Sequence, residues 1–362
     1  MRLGSFRAAL LVAPLVLMVL AGSVAPLGVL LWRGLAETEV EPALPRTLRA
    51  LRLWDGRGLP DDAAFEALAA DLAALQSAGP EGAAALERAA DRLGAEVPAL
   101  REALPGTAAR APATITSRAT SVLVADPVWG ETESWAALRR AAPPVSGFHL
   151  LSALGLRQGA DGGLEDAEGG PHDRARLTRG IGGAALAVLA GLPLAWALAR
   201  LIAETSSRRA ALLAGLALLP LLAGETGRAA GVSLLSEPGP VAALAALLLG
   251  AVPLIALPVA LSLRRAGPRL PRAAAALGAR PGRVLLSVGL PLARRGLALG
   301  CALAFAQALG SELLNPAAPG AASALAAAAG VGQWGEAGAT AFWLLLPTVL
   351  AVLLLLHWGR RA

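Results

Sequence analysis

Apolar residues are gathered into six long blocks along this chain. They cover roughly Ala8–Trp32, Ile181–Ala203, Ala210–Val232, Val241–Leu263, Val288–Gly310 and Ala339–Trp358. Each reaches the ~20 residues that cross a hydrocarbon core of ~30 Å at 1.5 Å per helical residue. The pattern predicts an all-α membrane protein with six transmembrane helices. Gly191, Pro193, Pro220, Pro253, Pro258 and Pro347 fall inside the blocks; they would break soluble helices but are tolerated in membrane bundles. Gly296 and Gly300, four apart, either permit close helix approach or reflect a Gly-rich chain. The first block carries a small-residue stretch, Ser23-Val24-Ala25, of the kind that ends a signal peptide. Its 25 residues run on to Trp32, which favours an uncleaved helix, residues 1–32.

Between the first two blocks the pattern changes. Asp61–Gln76 and Gly82–Leu93 set Ala and Leu at helical spacing among charges, and Gly159–Gly170 reads as loop. Residues 33–180 are therefore expected to form a soluble, mostly helical insertion, and residues 181–362 a five-helix core.

Composition supports this division. Hydrophobic residues make up 56% of the chain and charged residues 16%, against about 25% charged in an average soluble domain. Every basic residue is Arg, and the insertion holds 16 of the 32 together with 21 of the 26 acids. Of the 16 arginines outside it, all but Arg228 fall on one side if the amino terminus is cytoplasmic. The positive-inside rule then puts both termini in the cytoplasm and the acidic insertion in the periplasm. Because these arginines track topology, the high pI gives no reason to expect nucleic-acid binding. A lone Cys301 excludes an internal disulfide, and His149, His172 and His357 form no metal-ligand spacing, so neither metal nor cofactor is expected.

The connection at about 264–295, between the fourth and fifth blocks, holds eight arginines and no acid. Within it Leu270–Leu277 is an Ala-rich helical stretch closed by Gly278, a residue suited to the left-handed position after a helix end. Pro281-Gly282 follows, and Val284–Pro291 leads back to the membrane. Arg272-Ala273-Ala274, Gly278, then Val288, Leu290 and Pro291 resemble the E-A-A-x-x-x-G…I-x-L-P loop of binding-protein-dependent ABC importer permeases. Arg272 stands where that motif has Glu, and Val288 where it has Ile.

Other stretches resemble the spermidine/putrescine class of these permeases. They include Gly191-Leu192-Pro193-Leu194-Ala195-Trp196, Leu219-Pro220 with Arg228, Ala308-Leu309-Gly310 with Pro316, and Trp334-Gly335-x-Ala337. In the insertion, Trp54-Asp55-Gly56, Pro127-Val128-Trp129-Gly130, Ser134-Trp135-Ala136-Ala137-Leu138-Arg139 and Leu150-Leu151-Ser152-Ala153-Leu154 do the same. The resemblance implies a type I ABC importer permease fold in the bacterial inner membrane. It further implies a translocation path for a polyamine-like solute, and the 264–295 loop as the coupling helix docked on separate ABC ATPase subunits. A second permease subunit and a periplasmic solute-binding protein would complete the complex. A permease of the same architecture for iron, sulfate or a phosphonate is the nearest alternative, and a non-transporting membrane scaffold the next.

Glu225 and Arg228, three apart in the third block, share a helix face and either pair with each other or line the path. Glu312 and Asn315, where the fifth block ends, are the other candidates for the path. A P-loop is excluded for want of its Lys, and Gly330-x-Gly332-x-x-Gly335 lacks the strand a dinucleotide fingerprint needs. No nucleophile–base constellation is visible, so the chain is not expected to be an enzyme, and ATP hydrolysis falls to a partner.

Overall fold

A computed structural model describes residues 12–110, 118–159, 163–167, 170–235, 239–267, 269–311 and 320–360. The chain is mostly helical and divides into two compact units, residues 1–174 with 328–340, and residues 175–327 with 341–362. Among the described residues, five helices are long and apolar enough to cross a membrane: α1 (Val12–Arg33), Arg174–Glu204, Pro240–Ala266, Pro281–Leu309 and Trp334–Arg360. The chain is thus a multi-pass membrane protein.

In the first unit, α1 leads to seven shorter helices. These are α2 (Pro45–Leu51), α3 (Asp62–Ser77), α4 (Pro80–Gly94), α5 (Leu100–Arg110), α6 (Arg118–Ala125), α7 (Thr132–Arg140) and α8 (Phe148–Ala153). Their apolar stripes, joined by Trp129 of the 3-10 turn Pro127–Gly130, close on Leu68, Leu93, Leu100, Leu104, Trp135 and Leu138, all fully buried. Trp135 meets Phe65 edge-on at 4.5 Å, and its indole N–H donates to the Trp129 carbonyl at 2.9 Å. The Trp129 indole N–H donates to Thr107 Oγ1 at 2.6 Å, so both large rings are buried with their polar edges satisfied. Asp71, on α3, accepts from the amides of Arg46 and Thr47 at 2.9 and 2.8 Å. It thereby caps the amino end of α2, whose Pro45 spares one of the otherwise orphaned donors.

The stretch read as loop, Gly159–Gly170, contains a strand. Leu164–Asp166 (β2) pairs antiparallel with Leu156–Gln158 (β1). No apolar alternation marks β2, whose three residues are all exposed, so backbone pairing alone defines it. Helix α9 (Gly170–Glu204) then begins before the second apolar block and runs through its whole length.

The second unit is centred on α12 (Pro240–Ala266) and α14 (Pro281–Leu309), which pack side by side. A Cβ on Gly296 would strike the Pro258 carbonyl and the Ser262 hydroxyl; one on Gly300 would lie 2.7 Å from Ile255 Cα. The Gly-x-x-x-Gly pair is therefore the close-approach seam of these helices. Ala195, Ala199 and Ile202 of α9 pack on the same apolar cluster.

The third apolar block is not one helix. It forms α10 (Ser207–Leu222) and α11 (Gly224–Ser233), with Gly224 between their axes at φ 68°. Hydropathy runs on across this point, but the left-handed backbone of Gly224 cannot continue a right-handed helix. The remaining elements are α13 (Arg269–Ala276), α15 (Ala321–Gly330) and α16 (Trp334–Arg360).

Candidate functional site

The arginine-rich connection folds as α13, a turn, and the first turns of α14. Leu277 N–H donates to the Ala273 carbonyl, Gly278 N–H to Ala275 at 3.0 Å and Ala279 N–H to Ala274 at 3.2 Å. This nested pair of bonds is the Schellman closure, and it requires the left-handed conformation that Gly278 adopts at φ 80°. None of the residues of α13 is buried. Arg272 and Ala273 are exposed and Ala274 is half-buried. Leu270 and Leu277 are 59% and 89% exposed, and with the half-buried Ala274 they make an i, i+4, i+7 stripe whose two leucines are left largely bare among the described residues.

The return to the membrane is built around Pro291. Leu285–Gly289 form a π turn in which Leu290 N–H donates to the Leu285 carbonyl, and Pro291 follows. Proline lacks the amide for the next helical bond and crowds the carbonyl four residues back; widening the turn accommodates both. The same arrangement, Leu20–Val24 before Pro26, occurs in α1. Val288 and Leu290 are half-buried, Pro291 is exposed, and Gly289 is pressed against the Trp196 ring, its notional Cβ 3.1 Å away. Arg264, at the end of α12, reaches the carbonyls of Ile202 and Thr205 at 3.4 Å each and so caps the end of α9. Both ends of the connection are thus fastened to α9, while α13 rests only lightly on the first turns of α14 and stays mostly exposed.

The polar candidates of the third and fifth blocks fall at the helix break. Arg228, buried on α11, donates from Nη1 to the Pro220 carbonyl at 3.2 Å, joining the two sides of the break; its Nε has no hydrogen-bond partner. Glu225 accepts from the Ser311 hydroxyl at 2.6 Å, which brings the break and the end of α14 together. Glu312 and Asn315 lie outside the described residues. Two further polar groups here went unnoticed in the sequence, Ser311 and Gln307. Gln307 Oε1 is buried without a partner on the α14 side facing Gly250. A single amide inside an apolar block was its available signal.

The first unit holds a second polar cluster. The guanidinium of Arg92 bonds Glu37 at 3.0 Å and Glu96 at 2.9 Å, with its charge 3.3 Å from the Phe148 ring centre. Arg140 adds a 2.7 Å pair to Glu96. His149 Nε2 lies 3.9 Å from Glu39 Oε1. Burial pushes the Glu39 carboxyl up to about 7, helped by Glu37, and pushes His149 down to about 4, helped by Arg92. The His149 ring fills the space where Gly335, at the start of α16, has no side chain. Nearby, Gly34 and Gly338 bring the backbones at the end of α1 and the start of α16 together with no room for a Cβ on either. These contacts explain Trp334-Gly335-x-Ala337 locally, since Ala337 is fully buried. The insertion motifs also meet: Arg139 donates to the Trp54 carbonyl at 3.1 Å and lies against Gly56.

Compared with protein-family models and with curated proteins, the chain matches none.

Proposed function

We propose that this chain is the transmembrane permease subunit of an ABC importer, with α13 as the element that docks on its ATPase. The observation that carries the reading is the form of α13. It is a short helix stopped by a Schellman turn, tethered at both ends through Arg264 and Gly289, and exposing Leu270 and Leu277 on one stripe. Leucines left bare beside arginines make poor free surface and good contact surface. The family-like spacing from Arg272 to Pro291 begins on this element and runs through the Gly278 turn into the first turns of α14.

In this reading α10 and α11 together make the third of six spans, with Gly224 as its interruption. The arrangement is that of a type I importer, with both termini cytoplasmic in a bacterial inner membrane and the helical insertion periplasmic. Discontinuous helices are common where transporters line a solute path, and Glu225, Arg228, Ser311 and Gln307 are the polar groups placed to contribute to one. A polyamine-like solute suits the resemblance, with iron, sulfate or a phosphonate as the alternatives. A second permease subunit, a solute-binding protein and surrounding lipid complete the assembly. The chain itself performs no chemistry: ATP-driven movement of the partner favours one packing of the spans over another.

Gly278→Val tests the reading. A β-branched residue cannot hold the left-handed turn, so uptake and ATPase association are expected to be lost while membrane insertion remains normal. Normal uptake by that variant contradicts the docking role.

A further inference from the structure

The carboxyl-terminal end of α16 carries a groove of about 420 Å³, lined by Leu350, Leu353, Leu354, Leu356, His357 and Arg360. At 100° per residue, Leu350, Leu353, Leu354, His357 and Arg360 fall within an arc of about 120° centred on His357, with Leu356 at its edge. Gly359 lies on the opposite side of the helix, where its notional Cβ is 2.9 Å from Ala298 of α14. The groove therefore faces away from the contact with α14, and Leu350, Leu353, Leu354, His357 and Arg360 are all exposed. Leucines on a spanning helix need no protein cover, because lipid tails are equally apolar. What sets this face apart is its basic end.

That end lies at a membrane boundary. Trp358 stacks on the Arg294 guanidinium at 4.5 Å, and the Arg295 backbone lies beside Gly359. Trp and Arg gathered at the end of an apolar span mark the level of the lipid headgroups. From Arg360 back to Leu350 the helix rises ~15 Å, half of a hydrocarbon core of ~30 Å. The groove thus runs from one headgroup layer to the bilayer midplane, the length of one acyl leaflet.

The geometry points to a binding site for one anionic phospholipid, its acyl chain laid over Leu350, Leu353 and Leu354 and its phosphate held by Arg360 and His357. The guanidinium fork matches two phosphate oxygens, and an imidazole N–H adds a further contact. A net negative headgroup is favoured, because a zwitterionic lipid already supplies its phosphate with an ammonium. Two other occupants suit the site less well. Residues 1–11 carry Arg2 and Arg7 and no acid, and a second copy related by a two-fold along the membrane normal would set Arg360 against its own equivalent. Both bring like charge. The site requires only that α16 spans a membrane, so it stands apart from the permease reading.

The test uses the full-length chain in phosphatidylcholine nanodiscs, doped with a phosphatidylglycerol or a phosphatidylcholine probe that bears a photoactivatable acyl chain. The phosphatidylglycerol probe should label residues 350–354 in preference to the phosphatidylcholine probe. Arg360→Gln should cut that labelling about fivefold, whereas Arg295→Gln, at the same level on α14, should leave it unchanged. Equal labelling by the two probes, or an equal loss in both variants, reduces the arginine to diffuse surface charge and overturns the proposal. Disulfides between copies of Leu353→Cys, with residues 350–354 unlabelled, assign the face to a second copy and also overturn it. So does a lack of labelling without such disulfides.

Discussion

At the residue scale, the clearest chemistry lies around His149. The unprotonated ring is buried against Gly335, and Glu39 faces it from the segment that leaves α1. Glu37, Asp91, Arg88 and Arg92 supply the surrounding charge. The two titrations oppose each other. Glu39 holds its proton up to about pH 7 in the fold but only to about 4.5 when unfolded, so its contribution to stability falls as pH rises through that window. His149 stays neutral down to about pH 4 when folded but takes a proton at 6.5 when unfolded, so its contribution rises with pH between those values. The slopes cancel over most of the range. His149→Gln is therefore expected to leave the first unit losing stability from pH 4.5 to 7, and Glu39→Gln to leave it gaining stability from pH 4 to 6.5. Amide hydrogen exchange of α4, α7 and α8 in the full chain reads both.

Arg92 poses a different case. Removing it leaves Glu37 and Glu96 buried without their cation, and a broken buried pair costs about 3–5 kcal/mol. Arg92→Ala should lower the unfolding temperature of the first unit far more than Arg101→Ala, whose pair with Asp91 is exposed. Little of this was legible beforehand. Arg92 and Glu37 are 55 residues apart in a segment dense with both charges, and no local pattern singles out the pair that becomes buried.

At the scale of elements, legibility followed the kind of signal. The helix before Gly278 could be read because a chain stop is local: Ala-rich spacing, then the residue that tolerates the left-handed cap. Five long helices could be read because hydropathy and length alone define them. The break at Gly224 could not. Glycines and prolines are scattered through every apolar block, and nothing in periodicity distinguishes the one that reverses its backbone from those, such as Gly215, that stay helical. The Gly296–Gly300 seam had two readings for the same reason, and only the approach of α12 separates them. Gly300→Leu would press on the Ile255 backbone, so we expect destabilisation on the order of 1–3 kcal/mol. Gly215→Leu, where a Cβ meets nothing within 4 Å, should be close to neutral. Thermal unfolding in detergent compares the two.

At the scale of the whole molecule, chain order and unit membership diverge. Residues 328–340, near the carboxyl end, fold with residues 1–174, and Gly34 and Gly338 form the tight backbone crossing that binds them. Gly338→Val should therefore raise hydrogen exchange at the end of α1 and near Phe148, although more than 180 residues of sequence intervene. Five of the six apolar blocks predicted helices long enough to span, yet which end of the last one joins the insertion depends on a contact between two glycines that composition does not mark.

The central claim concerns the exposed end of α13, and cysteine crosslinking at Leu277 addresses it most directly. Cys301, the chain's lone thiol, is buried and leaves the background low. In native membranes Leu277→Cys should crosslink to the ABC ATPase subunit in a nucleotide-dependent way and resist impermeant thiol reagents added to intact cells. Labelling of Leu277→Cys from outside intact cells, with no crosslink to an ATPase, would contradict the account.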